Sequence, residues 1–91
     1  MDFEWNDAKN AANIAKHGID FTRAKEIFQG YVLESKDARR NYGETRIVAV
    51  GATDGVAVTI VYTTRGEVRR IISARRAKRD ERRAYRQAYP G

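Results

Sequence analysis

The chain has 91 residues, which suffices for one compact domain over residues 1–91 and is too short for two. It contains no cysteine and one histidine, His17, so disulfides, thiolate metal sites and histidine clusters are excluded. Its net charge of +6 lies in the C-terminal part: residues 1–64 carry eight Lys or Arg against nine Asp or Glu, and residues 65–91 carry ten against three.

The N-terminal segment predicts a short extended stretch followed by a helix. Residues 3–5 are typical of an edge strand or a packed arm. Asn6 can cap a helix over about residues 7–17, because its side-chain oxygen can accept a hydrogen bond from the first turn. Gly18 follows two basic residues, as is typical of a helix C-terminus, so the helix is expected to end there.

A second helix is predicted directly after the first. Asp20 can cap it, and Gly30 ends it. Its apolar residues recur at the spacing of one helix face, and they are Phe21, Ala24, Ile27 and Phe28. The two helices are therefore expected to form a helical hairpin.

Four strands are predicted from residue 31 onward, where Val, Ile, Thr and Tyr become frequent. They span residues 31–35, 45–51, 56–64 and 67–73. Asp54–Gly55 and Arg65–Gly66 are typical of hairpin turns, because glycine tolerates the positive φ that two-residue turns require. The last three strands are therefore expected to form an antiparallel meander.

The C-terminal segment predicts a final helix over residues 74–89, capped by Ser73 and followed by Pro90. The predicted order is thus two helices, four strands and one helix. This order indicates an α+β fold, in which an antiparallel β-sheet carries the two N-terminal helices and the C-terminal helix on one face.

The first predicted helix separates its residues by face. At 100° per residue its four alanines fall in one arc, which is expected to pack closely. Another arc carries two ammonium groups, an amide and an imidazole, from Lys9, Lys16, Asn13 and His17. These groups are suited to bind phosphate. The same arc is also typical of the exposed face of an amphipathic helix, and both interpretations stay open.

The final predicted helix carries a stripe of arginines at i, i+4, i+7 and i+11, namely Arg75, Arg79, Arg82 and Arg86. Like charges at this spacing destabilise a helix by a few tenths of a kcal/mol each, so the stripe indicates a polyanion or an acidic partner. Arg46 and Arg70 lie on predicted strands. If the helices cover one face only, the other face is a cationic platform suited to a long flexible polyanion.

Two further features have alternative interpretations. Glu81 falls among the inward apolar residues of the final helix, which predicts a structural ion pair with a sheet arginine or with the first helix, rather than a catalytic role. Tyr42, Tyr62 and Tyr85 are candidates for stacking on nucleobases, although each is also typical of core or strand positions.

Three separated motifs resemble the BrnT toxin family. They are Glu4–Lys9 with Asn13, Lys16–Gly18 and Phe21, then Gly43–Arg46, then Arg70–Arg75 with Ala77, Glu81 and Tyr85. The resemblance covers about residues 3–85. Asn6 occupies a position where the family pattern has Asp, and since both residues cap helices, the expected fold is unaffected.

The resemblance implies a RelE-like fold, an endoribonuclease activity that inhibits translation, and neutralisation by a BrnA-type ribbon-helix-helix antitoxin. It also implies an oligomeric toxin-antitoxin complex that binds operator DNA. Cleavage of RNA requires neither a metal nor a cofactor, because the 2′-hydroxyl can attack the adjacent phosphate.

Cationic and titratable residues are assigned to this chemistry. Arg46 and Arg75 are expected to stabilise the phosphate in the transition state. Lys9 and His17 are the candidates for proton transfer. Four residues are expected to hold the RNA backbone, namely Lys16, Arg70, Arg79 and Arg82. Arg70 can alternatively pair with Glu81.

Two other classes of function stay open, a non-catalytic nucleic-acid-binding module and a protein-interaction domain with an acidic partner. The protein is expected to be cytoplasmic and not to contact a membrane. Its apolar runs are far shorter than the roughly 20 residues of a membrane span, and its N-terminus lacks the basic region of a signal peptide.

Overall fold

The computed structural model of the protein describes residues 2–37 and 43–90, which adopt an α+β fold. Within these ranges the elements are β1 Asp2–Glu4, α1 Asp7–His17, α2 Phe21–Ala24, a 3₁₀ helix Lys25–Gln29, β2 Leu33–Lys36, β3 Ile47–Thr53, β4 Val56–Arg65, β5 Val68–Arg76 and α3 Arg79–Ala88. The predicted α1 is confirmed at both ends, whereas the second helix becomes a 3₁₀ helix after one turn. None of the helices in the two described ranges is long and apolar enough to span a membrane.

The strands form one sheet in the order β1-β5-β4-β3-β2. β2, β3, β4 and β5 pair antiparallel with their sequence neighbours, which confirms the predicted meander. β1 pairs parallel with β5, with Glu4 opposite Arg70, so the sheet is mixed and the prediction of a wholly antiparallel sheet is wrong. A strand of three residues is too short for its sequence to reveal the direction of its partner.

The two faces of the sheet alternate along β4. Val58, Ile60 and Tyr62 are buried against α2 and the 3₁₀ helix on what we call the core face. The residues between them point to the opposite face. α3 lies against that face, where the Thr59 hydroxyl donates a 3.1 Å hydrogen bond to Glu81, so we call it the α3 face. The prediction that all helices share one face is therefore wrong.

Close packing on the core face requires a glycine in β3. A Cβ atom at Gly51 would lie 2.8 Å from the Cβ of Ile27 in the 3₁₀ helix, which is closer than real Cβ atoms approach. The buried core that results consists of Phe21, Ala24, Ile27, Ala49, Val58, Ile60, Tyr62, Ile71 and Ala74.

The hairpin turns follow the positions of positive φ. Asp54–Gly55 connects β3 and β4 with φ values of 51° and 74°, as predicted. The β4–β5 turn lies one residue later than predicted, because Arg65 pairs with Val68 and Gly66–Glu67 forms the turn. Gly66 supplies the positive φ of 61° that this turn needs.

α1 packs through its amides and not through its alanines. Asn13 is buried, and its Nδ2 donates to the carbonyl of Ala74 at 2.8 Å while its Oδ1 accepts from the N–H of Ala74 at 3.2 Å. Because β1 ends opposite Arg70, the Asn13 amide takes the place of a neighbouring strand at Ala74. The prediction that the alanine arc packs closely is wrong, since its members are exposed: Ala8, Ala11, Ala12 and Ala15.

The last helix begins at Arg79, five residues later than predicted. Residues 74–76 continue β5, because the backbone of Ala74 is hydrogen-bonded to Asn13 on one side and pairs with β4 on the other. Ser73 is therefore a strand residue and not a cap, and Arg75 does not belong to the helix. α3 has no buried residue, so the predicted inward apolar stripe is also wrong.

Candidate nucleic-acid interface

Arg46 and Arg70 lie on either side of Thr63 on the α3 face. Thr63 pairs with Arg70, and its hydroxyl donates a 2.8 Å hydrogen bond to the carbonyl of Thr45. Arg46 precedes the first residue of β3, which pairs with Tyr62 of the core face, so alternation directs Arg46 to the α3 face. Arg46 and Arg70 therefore lie on the same face at this end of the sheet, on either side of β4.

A β-bulge brings Arg75 to the same face as Arg70. The pairing between β4 and β5 shifts by one residue between Val61 and Tyr62, which makes Ile72 the bulged residue of β5. In a regular strand, residues five positions apart point to opposite faces. The bulge reverses this parity, so Arg70 and Arg75 both point to the α3 face, about 13 Å apart at the usual rise of a strand.

A carboxylate holds each of these arginines. Measured between a guanidinium nitrogen and a carboxylate oxygen, the pairs are Arg46 with Glu44 at 3.6 Å, Arg70 with Glu4 at 3.5 Å and Arg75 with Glu81 at 2.7 Å. The three arginine side chains are 25%, 27% and 26% exposed, so they are partly desolvated yet reachable. A partly desolvated cation attracts an anion more strongly than an exposed one, so these three arginines are suited to bind an anion. We call Arg46, Arg70 and Arg75 the arginine surface.

The Arg75–Glu81 pair joins β5 to α3. The pKa of Glu81 is lowered to about 2, chiefly by the hydrogen bonds from Arg75 and further by the Lys78 N–H and the Thr59 hydroxyl, while burial opposes the shift. Glu81 is therefore ionised at neutral pH. The predicted ion pair with a sheet arginine is confirmed, and its partner is Arg75, because Arg70 pairs with Glu4 of β1 instead.

His17 lies on the core-face side of α1. Asn10 marks the side of α1 that faces α2, because its side-chain oxygen accepts a 2.9 Å hydrogen bond from the N–H of Phe21. Around the helix axis, His17 is rotated from Asn13 toward the same side as Asn10. Together with Arg76 it lines a cavity of about 520 Å³ that reaches the core residues of β4. The structure therefore does not bring His17 together with the arginine surface.

Lys9 and Lys16 lie on the other side of α1. At 100° per residue, both are rotated about 40–60° from Asn13 in the direction opposite to His17. Both side chains are exposed, on the flank turned away from α2 and next to the edge of β5. Lys9 and Lys16 thus lie on the flank of α1 opposite to His17.

The arginines of α3 are exposed and differ in what they contact. Arg79 lines a shallow cavity of about 370 Å³ together with Arg83 and Arg86. Arg82 donates a 2.6 Å hydrogen bond to the carbonyl of Ala77. Three members of the predicted arginine stripe therefore share the helix, whereas the fourth, Arg75, lies on the strand.

The candidates for base stacking have different environments. Tyr62 is buried in the core and its hydroxyl donates to the carboxylate of Glu34, so its ring faces are covered. Tyr42 lies outside the described residues. Tyr85 is half-buried and donates a 2.8 Å hydrogen bond to the carbonyl of Tyr31. Tyr31, which is 72% exposed, was not predicted, because its exposure depends on where α3 packs.

The chemistry of the α3 face is cationic and hydroxylic. In residues 2–37 and 43–90, no three His, Asp or Glu side chains form a group that could hold a metal ion. Arg46, Arg70 and Arg75, with the nearby hydroxyl of Ser73, can bind and polarise a phosphodiester.

Comparison with models of protein families matches residues 5–81 to the ribonuclease toxin BrnT of type II toxin-antitoxin systems. The matched span includes the whole arginine surface, Glu81, all of α1 and every strand except β1. A comparison with curated proteins finds no match. The family match confirms the resemblance carried by the three motifs. The chain therefore belongs to the BrnT family of ribonuclease toxins of type II toxin-antitoxin systems.

Proposed function

We propose that this protein is a metal-independent endoribonuclease that cleaves cellular RNA at the arginine surface and thereby inhibits translation. The observation that carries the proposal is the common orientation of Arg46, Arg70 and Arg75, which are partly exposed on one face of the sheet and each paired with a carboxylate. Guanidinium groups spread over about 13 Å of a strand suit an extended phosphodiester chain better than one small anion.

The proposed reaction is a transesterification within the RNA. The 2′-oxygen forms a bond to the adjacent phosphorus, and the bond from phosphorus to the 5′-oxygen of the next nucleotide breaks. The 2′-hydroxyl gives its proton to water or hydroxide from the solvent, and the leaving 5′-oxygen takes one from the Lys9 ammonium, which the solvent then protonates again. Arg46 and Arg75 stabilise the charge on the nonbridging oxygens, because guanidinium stays charged and can bind two oxygens at once.

Lys9 is the proposed proton donor to the 5′-oxygen, and its exposed position on the flank of α1 opposite to His17 supports this choice. His17, the other candidate predicted for proton transfer, faces the core side and has no role in this proposal. The residues proposed to hold the flanking RNA backbone are Lys16, Arg70, Arg79 and Arg82.

Membership of a type II toxin family implies an antitoxin partner and an RNA substrate. We propose that the partner is a BrnA-type ribbon-helix-helix protein, that the two form an oligomeric complex that binds operator DNA, and that the protein acts in the cytoplasm. We also propose that the fold is RelE-like. The antiparallel meander, two N-terminal helices and a C-terminal helix support this last point.

Incubation of the purified protein with single-stranded RNA tests the proposal against its alternatives. Cleavage supports the enzyme, binding without cleavage selects a nucleic-acid-binding module, and neither selects a protein-interaction domain. Arg46→Ala is expected to lower cleavage by about 100-fold or more. Arg23→Ala is the matched control, because Arg23 is an exposed arginine of α2 paired with Asp54, outside the arginine surface.

A further inference from the structure

An exposed group of aromatic rings lies at the C-terminal end of α3. Tyr31 stacks on Tyr89 with ring centroids 4.9 Å apart and an interplanar angle of 14°, and Tyr89 contacts Tyr85 at 5.4 Å. Tyr31 is 72% exposed, so the ring face that does not touch Tyr89 is open to solvent. We call these three residues the tyrosine stack.

Two hydrogen bonds hold the tyrosine stack in place. The hydroxyl of Tyr85 donates to the carbonyl of Tyr31 at 2.8 Å, and that of Tyr89 donates to the carbonyl of Val32 at 2.9 Å. Both bonds attach α3 to the segment before β2 through backbone carbonyls. Anchoring of α3 therefore uses the two hydroxyls and the stacking of Tyr89 on one face of the Tyr31 ring. The other face of Tyr31 takes no part in that stacking.

The surroundings of the tyrosine stack favour a flat ligand that carries negative charge nearby. A cavity of about 550 Å³ beside it is lined by uncharged residues, namely Tyr31, Tyr85, Ala88, Tyr89 and Pro90. Arg82 and Arg86 precede Tyr85 and Tyr89 by three positions, so they are their neighbours on the helix surface. Aromatic faces next to guanidinium groups are the combination by which proteins bind single-stranded nucleic acids.

We propose that the tyrosine stack binds an unpaired nucleobase of the RNA substrate on the open face of Tyr31. This inference rests on the proposed function and adds to it a second point of contact with the RNA. Leu33, two residues after Tyr31, lies in the same row of the sheet as Arg75, three strands away or about 14 Å. α3 runs between the two surfaces on this side of the sheet, from its contact with Arg75 to its contact with Tyr31. One RNA strand that follows the exposed arginines of α3 can therefore contact both surfaces.

The chemistry of the site sets its selectivity. Stacking is open to all four bases, because each has a flat π-face, and the lining residues present no charged group to read a base edge. The site is therefore selective for unpaired over paired bases and not for a sequence. Proline-rich peptides also bind tyrosine-lined surfaces, but the adjacent arginines of α3 favour a polyanion.

The test measures binding of the full chain to a fluorescently labelled single-stranded RNA with methylated 2′-oxygens, which the proposed reaction cannot cleave. Tyr31→Ala is expected to weaken binding by about fivefold or more, the low end of what one stacked base contributes. Tyr31→Phe keeps the ring and is expected to bind within about twofold of the native protein. Ile14→Ala, at another exposed apolar residue, is the control and is expected to change nothing.

Two comparison probes, a duplex RNA and a base-free strand of the same length, are expected to bind the native protein and Tyr31→Ala equally. Equal affinity of native protein and Tyr31→Ala for the single strand, with weaker binding by Arg75→Ala, would overturn the base site and leave the proposed function intact. If Tyr31→Ala bound all three probes more weakly by the same factor, the substitution would have displaced α3, and the proposal of a base-binding site would also be overturned. Binding of a labelled proline-rich peptide, with no RNA bound, would overturn both proposals.

Discussion

Arg75 Nη1 and Nη2 lie 2.7 and 2.9 Å from the two carboxylate oxygens of Glu81, so a bidentate ion pair joins the last strand to the last helix. α3 has no buried residue, and this pair attaches it to the sheet together with the Thr59 hydroxyl, the hydroxyls of Tyr85 and Tyr89 and the stacking of Tyr89 on Tyr31. The same pair orients Arg75 on the α3 face. The Arg75–Glu81 ion pair thus both attaches α3 to the sheet and positions an arginine for the proposed reaction.

Replacement of Glu81 by Gln is expected to lower the free energy of unfolding by about 2–3 kcal/mol at neutral pH, because Arg75 loses the charge that it faces in a partly buried site. Urea unfolding measures the change. Glu67→Gln, in the exposed β4–β5 turn, is the control and is expected to change stability by less than about 0.5 kcal/mol. Unchanged unfolding of Glu81→Gln together with lost cleavage would assign Glu81 to the chemistry instead.

The stabilisation by Glu81 is expected to depend on pH with a defined sign. Its pKa falls from 4.5 to about 2 on folding, so the folded state favours the ionised carboxylate. The stability difference between the native protein and Glu81→Gln should be full above about pH 5 and should disappear as the pH falls toward 2. A difference that stays constant over this range would contradict the ion pair.

Arg75 and Arg76 form a matched pair of neighbours that point to opposite faces of β5. Arg75→Ala is expected to reduce RNA cleavage by about 100-fold or more, because a charged donor to the transition state is lost. Arg76→Ala is expected to cleave at close to the native rate, since Arg76 lines the core-face cavity. Circular dichroism of both variants checks that the fold is retained. Equal effects of the two substitutions would place the site elsewhere.

Proton transfer is expected to depend on Lys9 and not on His17. Lys9→Ala should lower the cleavage rate, because the leaving 5′-oxygen loses its proton donor. His17→Gln should retain the native rate and the native pH profile over about pH 5 to 8, the range in which histidine titrates. A flattened profile in His17→Gln would show that the histidine takes part after all.

Much of the fold follows from local patterns, and α1 shows why. Its cap at Asn6 and its end at Gly18 depend on neighbouring residues only, so both were predicted correctly. The face by which it packs was not, because Asn13 is buried for a tertiary reason, the uncovered edge of β5 beyond β1. The sequence pattern predicts that the alanines of α1 face inward. The buried backbone N–H and carbonyl of Ala74 instead require hydrogen bonds, which the side-chain amide of Asn13 supplies.

The candidate site was only partly predictable for a similar reason. Arg46, Arg70 and Arg75 were identified from residue type, but their common face depends on the bulge at Ile72, which no alternation pattern reveals. The start of α3 was misplaced because Ser73 resembles a helix cap, while pairing with β4 keeps residues 73–76 extended. Tertiary hydrogen bonds outweighed local propensity at both positions.

Asn13 provides a test of the edge that it covers. Asn13→Ala is expected to lower the free energy of unfolding by about 2–4 kcal/mol, because it leaves the buried backbone groups of Ala74 and the carbonyl of Ile19 without their partner. Thermal or urea unfolding measures the effect. Ala15→Asn, on the exposed side of α1, is the control with an expected change below about 1 kcal/mol, the cost of the lower helix propensity of Asn. Similar losses in the two variants would mean that Asn13 is not a substitute strand partner.

We propose that RNA is cleaved at the arginine surface by its own 2′-hydroxyl without a metal ion. The ends of the products formed in excess EDTA test this mechanism. The native protein is predicted to cleave under these conditions and to leave 2′,3′-cyclic phosphate and 5′-hydroxyl ends, identified by mass spectrometry, while Arg75→Ala leaves the RNA intact. Cleavage that appears only when a divalent ion is restored, or products with 3′-hydroxyl and 5′-phosphate ends, would contradict the account.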